Sequence, residues 1–199
     1  MPIDSFARTA YDEDMEAFRD TVRAFMRDKV APNSDAWDEA KIVPKSIWKE
    51  AGDLGMLCPT VPEEYGGIGG GPVDTMVLME EFGRGLVVEP YMTSIVIGGG
   101  FLMAGGSVAQ KTEMLPKLAA GKLKLAFAYA ERQSRFDLND VECKAEASGD
   151  GYKLSGHKGV VFHAATADKI IVSARTSGNS RDADGITLQQ FSEQAGGQV

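Results

Sequence analysis

The spacing of apolar residues changes once along this 199-residue chain, near Gly121, and that change limits the folds open to it. Before Gly121 apolar side chains recur at helical intervals; after it they alternate or gather in short runs. A helix buries a stripe repeating every 3.6 residues, and a half-buried strand repeats every two. The two signals in succession predict an α+β fold: an all-α domain over residues 1–122, then an antiparallel β-domain over 123–199.

In the first part, Met15, Phe18, Val22, Phe25, Met26 and Val30 mark one face of a helix from about Asp12. Asp12, Glu13 and Asp14 suit its positive dipole end, and Pro32 forbids its continuation. A second helix starts at Pro44 and ends at Gly55, with Ile47, Trp48, Ala51 and Leu54 inward. A loop from Pro59 to Gly71 leads to a third helix from Pro72 to Phe82. Tyr91 to Ala104 is apolar nearly all round, which predicts a helix buried on most sides. Its glycines, Gly98 to Gly100, are expected to admit a neighbouring backbone. Ser107 and Gln110 have capping-box spacing and open a last helix that Gly121 closes.

In the second part, Leu123, Leu125, Phe127 and Tyr129 alternate with smaller or polar residues as on a strand with one buried face. Val141–Ser148 and Tyr152–Ser155 flank Gly149-Asp150-Gly151, a hairpin signal. Gly159–His163, Lys169–Arg175 and Ile186–Leu188 are further expected strands, and Gln189–Val199 is polar without a pattern.

A net charge of -8 argues against a broad nucleic-acid or anionic-membrane surface. The start, Met1 to Thr9, has no apolar core and so is not read as a signal peptide, and Tyr91–Ala104 is too short to span a bilayer. Cys58 and Cys143 lie far apart without metal-ligand spacing; free thiols and a cytoplasmic location are expected. His157 and His163 have no carboxylate or cysteine at ligand spacing, which argues against zinc. The run Tyr65-Gly66-Gly67-Ile68-Gly69-Gly70-Gly71 lacks the ending of a phosphate-binding loop and any surrounding βαβ pattern, so it reads as a turn between helices. No serine stands in a nucleophile-elbow setting.

The order of segments resembles the acyl-CoA dehydrogenase family. The opening helix ends in Ala31-Pro32; Leu54-Gly55-Met56-Leu57 precedes Val61-Pro62-Glu63-Glu64-Tyr65-Gly66-Gly67; Leu115-Pro116-Lys117-Leu118-Ala119-Ala120-Gly121-Lys122 closes the last helix. Gly151-Tyr152-Lys153-Leu154-Ser155-Gly156-His157-Lys158 is similar to the family's hairpin, and Ala167 to Arg175 to the strand after it. The resemblance covers residues 12 to 188 and is nearest in flavour to the small subunit of pimeloyl-CoA-type dehydrogenases.

The resemblance implies FAD as cofactor, an acyl-CoA thioester as substrate, and α,β-dehydrogenation in which a carboxylate takes the α-proton and the flavin the β-hydride. An electron-transfer flavoprotein or similar acceptor and a homologous large subunit are the implied partners. The flavin is expected beside Phe127, Tyr129, Ala130 and Glu131. Arg132 and Arg135 suit the pyrophosphate of FAD or of the CoA substrate. The sequence departs from the family's pattern at Ala130, which offers no hydroxyl, and at Val160 and Phe162, where Trp and Thr are usual. The family's base lies in a C-terminal helical bundle whose place would follow residue 199. The resemblance therefore implies no catalytic residue in this chain and no turnover by it alone, and the patternless tail from Gln189 leads to the expectation of an incomplete β-domain. A non-catalytic partner subunit and a flavin monooxygenase of the same fold are the competing expectations.

Overall fold

The computed structural model describes residues 9–87 and 90–191. The expectations for the first eight residues and for the tail beyond Phe191 lie outside those residues. The chain divides into two compact units. One runs to Glu89 and takes in Gly105–Lys122; the other joins Pro90–Ala104 to the chain from Leu123 onward.

The helical unit forms for the reasons its sequence gives. Helix α1, Glu13–Phe25, is capped by Asp12, whose carboxylate accepts the Met15 N–H at 2.9 Å. It runs on as a wider π-turn, Met26–Val30, that keeps Met26 and Val30 buried. Pro32 then falls in a 3-10 turn, Ala31–Asn33, and a short helix not foreseen in the sequence follows, α2, Ser34–Ala40. Helix α3 spans Lys45–Asp53 and α4 spans Pro72–Arg84. Between them the glycine-rich segment is a packed turn: a Cβ on Gly67 would collide with the Val61 carbonyl. Helix α5, Gly100–Gly105, belongs to the second unit up to Ala104. Helix α6, Val108–Ala119, has the expected capping box, with Ser107 N–H to Gln110 Oε1 at 2.8 Å and Gln110 N–H to Ser107 Oγ at 3.2 Å. Val22, Trp48, Met56, Val77, Leu78, Leu115 and Leu118 fill this unit's core.

In the second unit, a π-helical segment, Tyr91–Gly99, leads into α5. Among the described residues the sheet has five strands: β1 Leu125–Ala128, β2 Lys144–Ser148, β3 Gly151–Ser155, β4 Lys169–Arg175 and β5 Ile186–Phe191. The α+β class stands, but the sheet is mixed where the sequence suggested antiparallel pairing throughout. β1 runs parallel to β4, from Leu125 opposite Lys169 to Ala128 opposite Val172. Strands so far apart in sequence are free of hairpin geometry, and the intervening β2–β3 hairpin makes the long crossover that a parallel pair requires. That hairpin and the β4–β5 pair are antiparallel, and β2 meets β4 in parallel at Lys144 and Arg175. The hairpin turns at Gly149, whose φ of 57° suits the first central residue of a tight two-residue turn.

The strand expected at Gly159–His163 does not form. The chain there is irregular and turns at His163, whose φ of 61° breaks an extended run before a 3-10 turn at Ala164–Thr166. Ala126, Ala128, Val141, Cys143, Ala145, Ile170, Val172 and Ala174 make the core of this unit. No helix among the described residues is long and apolar enough to cross a membrane.

Candidate functional site

β1 carries Phe127 and runs on into Tyr129, and the Tyr91–Gly99 segment packs against it. The Leu125 N–H donates to Ser94 Oγ at 2.9 Å. Gly98 lies against Leu125 so closely that a Cβ there would sit 2.9 Å from the Leu125 Cβ. The close packing expected of three glycines therefore holds at Gly98 alone, and against a side chain; a Cβ built on Gly99 or Gly100 would meet no described atom within 4 Å outside the helix's own backbone.

Phe127 and Tyr129 lie two residues apart and so share a face. Their rings stack, with centroids 5.1 Å apart and planes at 23°. Phe101 of α5 meets Phe127 edge-on at 4.8 Å and 68°. Phe101 thus braces Phe127, and Tyr129, 38% exposed, carries the aromatic surface to solvent. Pairs of this kind contribute about 0.5–1.5 kcal/mol beyond area burial, enough to hold the rings in one orientation.

Beyond β1 the backbone is fixed from several sides. The Ala130 carbonyl accepts the Gly159 N–H at 2.7 Å, which brings the segment with exposed Val160 and Phe162 beside it. The Ala130 N–H donates to no acceptor among the described residues. Glu131, expected beside the flavin, turns its carboxylate into the protein. It accepts from Lys158 Nζ at 2.6 Å, Gln133 Nε2 at 2.8 Å, the Glu142 N–H at 2.8 Å and the Cys143 N–H at 3.1 Å. Burial opposes its ionisation, but these donors prevail and hold the carboxyl below its usual range. Ser134 completes the turn, taking the Glu131 N–H at 3.1 Å and donating to the Glu131 carbonyl at 3.0 Å.

Arg132 and Arg135 stand exposed on this loop with no hydrogen-bond or ion-pair partner among the described residues. Arg135 has a φ of 49°, and Phe136 beside it is 97% exposed. Lys158, Ser173 and Ser134, which organise the site, carry no motif of their own; the one signal was Lys158 in the hairpin sequence. A cleft of about 500 Å³ elsewhere in this unit, lined by Val141, Lys144, Glu146, Arg175 and Ser177, contains none of the expected ligand residues. Cys58 and Cys143 are both free and buried, and burial pushes the Cys58 thiol up to about 12.

A helical unit followed by a small mixed sheet is the arrangement of an acyl-CoA dehydrogenase-like fold. The family model for the N-terminal domain of acyl-CoA dehydrogenases matches residues 12–122, and this chain belongs to the acyl-CoA dehydrogenase family. It is 35% identical over 170 residues to mitochondrial isovaleryl-CoA dehydrogenase of Oryza sativa subsp. japonica, covering 83% of this chain and 42% of that protein. A glutaryl-CoA dehydrogenase of Mycobacterium smegmatis, solved in complex with FADH2, superposes with a TM-score of 0.81 and 27% identity, over 92% of this chain and 46% of that one. A chain of the ChsE4–ChsE5 complex of Mycobacterium tuberculosis gives 0.81 and 25%, over 94% and 48%. The chain spans 34% to 43% of the length of the curated relatives it matches.

Proposed function

We propose that this chain supplies the flavin-facing part of a cytoplasmic, FAD-linked acyl-CoA dehydrogenase, which introduces an α,β double bond into an acyl-CoA thioester. The observation that carries the proposal is the stacked Phe127–Tyr129 pair at the open end of β1, beside the Ala130 N–H, which meets no acceptor among the described residues. Ring faces for stacking and a backbone donor at their rim fit a flat, polar-edged heterocycle. When bound, the flavin supplies acceptance of the β-hydride. Arg132 and Arg135 are assigned the pyrophosphate of FAD or of the acyl-CoA, since a guanidinium meets a diphosphate with paired N–H donors. Val160, 69% exposed, and Phe162, 61% exposed, flank the site and keep water from its edge. The Glu131 carboxylate serves from behind, through the backbone it fixes. None of this chain's residues is assigned removal of the α-proton.

Titration of the purified chain with FAD, followed by flavin fluorescence, tests the proposal. Saturable quenching that is weakened in Tyr129→Ala and in Arg135→Ala supports it. FAD that stays free in the presence of the chain overturns it.

A second reading, a non-catalytic partner of a homologous large subunit, draws on Ala130, which offers the flavin no hydroxyl, and on the relative solved as a complex. Co-purification with a full-length homologous dehydrogenase, the chain alone remaining colourless, favours it over the first.

A further inference from the structure

We propose that Lys158 and Glu131 are positioning residues, a buried pair that sets the backbone of Tyr129 and Ala130 and thereby the shape of the flat-ligand surface. This rests on the reading of that surface given above.

Lys158 Nζ donates to Glu131 Oε1 at 2.6 Å, to Ser173 Oγ at 3.0 Å and to the Tyr129 carbonyl at 3.4 Å. An ammonium has three protons, so one group ties the end of β1, the middle of β4 and the segment after β3. Glu131 does the same from the acidic side, adding Gln133 and the N–H groups of Glu142 and Cys143 just before β2. The side chains of Lys158 and Glu131 are 8% and 3% exposed. The next residue, Gly159, donates its N–H to the Ala130 carbonyl. The carbonyls of Tyr129 and Ala130 are thus both held by Lys158 and its neighbour.

A buried ion pair is a weak source of stability, because the desolvation of each charge offsets the attraction between them. Two well-packed apolar side chains of similar volume would fill the same space, yet they would leave the Tyr129 carbonyl and the Glu142 and Cys143 N–H groups unsatisfied. Beyond their own contact, the pair's bonds end on the Tyr129 carbonyl, the Ser173 hydroxyl, Gln133 and the N–H groups of Glu142 and Cys143, so the backbone leaving β1 is tied to β4 and to the segment before β2. Orientation of that surface is the property such an arrangement supplies.

The test compares Lys158→Met with Ile170→Ala, a cavity in the same sheet that touches none of these bonds, at a temperature where circular dichroism reports both folded. Amide hydrogen exchange is read in the ligand-free chain, and FAD affinity by fluorescence titration. In Lys158→Met, exchange at Gly159, Glu142 and Cys143 is expected to rise by about tenfold or more over its rise in β5, with FAD binding weakened by about tenfold. Ile170→Ala should move the ratio and the affinity by less than about threefold. Exchange at those three amides that rises no more than in Ile170→Ala overturns the positioning role, whatever FAD does. The exchange pattern appearing as expected while the wild-type chain fails to bind FAD supports the positioning and removes the flavin reading alone. Should Lys158→Met not fold, Glu131→Gln, which keeps the side chain's size, carries the same comparison.

Discussion

Arg23 of α1 grips Glu81 of α4 with two parallel hydrogen bonds, Nε to Oε2 at 3.1 Å and Nη2 to Oε1 at 2.7 Å. The Glu81 side chain is 1% exposed and that of Arg23 32%, and Arg84 adds a contact at 3.3 Å. The pairing joins two helices across 58 residues of sequence and satisfies a carboxylate that the core would otherwise reject.

Removing the cation should therefore cost more than removing both partners. Arg23→Leu leaves Glu81 buried with only Arg84 beside it, and a loss of about 2–4 kcal/mol is expected. In the Arg23→Leu, Glu81→Leu double variant the buried charge is gone, and part of that loss should return. Urea unfolding of the two variants checks this; a double variant no more stable than Arg23→Leu would refute it.

Adjacent glycines in the Tyr91–Gly99 segment should respond with opposite signs. An alanine methyl at Gly98 meets the Leu125 Cβ and Cδ1 at 2.9 and 2.8 Å, so Gly98→Ala should destabilise by about 1–3 kcal/mol. Gly99 has open space at that position, so Gly99→Ala should be neutral or stabilise by up to about 1 kcal/mol through helix propensity alone. Thermal melting of both variants decides it. Leu125→Gly, which removes both obstructing atoms, should relieve Gly98→Ala more than Leu125→Ala, which keeps the Cβ.

These contrasts mark what could be read from the residues. The stripe Val22, Phe25, Met26, Val30 announced α1 because burial demands its period, and Ser107 with Gln110 announced α6 because the cap is local. Helix α2 was illegible: among Ser34–Ala40 no residue is buried, so no apolar period exists to find. The parallel β1–β4 pair was illegible for a different reason, since pairing across a long crossover leaves no turn signal. Phe127, Tyr129, Arg132 and Arg135 are named as candidate ligand residues from the strand's place in the family pattern, and that role remains a proposal. The Glu131–Lys158 bond could not be named in this way, because its partners lie 27 residues apart on irregular backbone. A carboxylate at a strand end looks the same in sequence whether it faces a ligand or a buried ammonium.

Arg175 gives a third expectation. Its guanidinium, within a residue 7% exposed, donates to the carbonyls of Val141 at 3.0 Å, Asn139 at 3.0 Å, Ser180 at 2.9 Å, Asp182 at 3.1 Å and Asp184 at 2.9 Å. A planar fork with five N–H groups can close two loops at once, and a lysine with three protons on one atom cannot. Arg175→Lys should cost about 2–4 kcal/mol and expose the 177–184 loop to limited proteolysis, whereas Lys117→Ala, which breaks an ion pair with Glu113 exposed on both sides, should cost less than about 1 kcal/mol. Equal protease sensitivity of the two variants would count against the clasp.

The pH dependence of stability should carry the signature of Glu131. Its burial favours the neutral acid, yet the donors from Lys158, Gln133, Glu142 and Cys143 outweigh burial and hold the folded-state pKa below the unfolded one. A carboxyl depressed in this way stabilises the fold at pH values above the ordinary glutamate range, where it is charged in both states. That contribution falls away as the pH drops through the folded-state value and the folded protein takes up the proton. The neighbouring Cys143 thiol is itself pushed up, burial being the main cause, and stays neutral across this range. Other carboxylates titrate in the same window, but they do so equally in Glu131→Gln. Urea midpoints measured from neutral pH downward should therefore converge: wild type starts more stable than Glu131→Gln, and its advantage shrinks as the pH falls below the ordinary glutamate range. A constant gap between the two curves would mean that the carboxylate's charge contributes nothing and that only its shape is used.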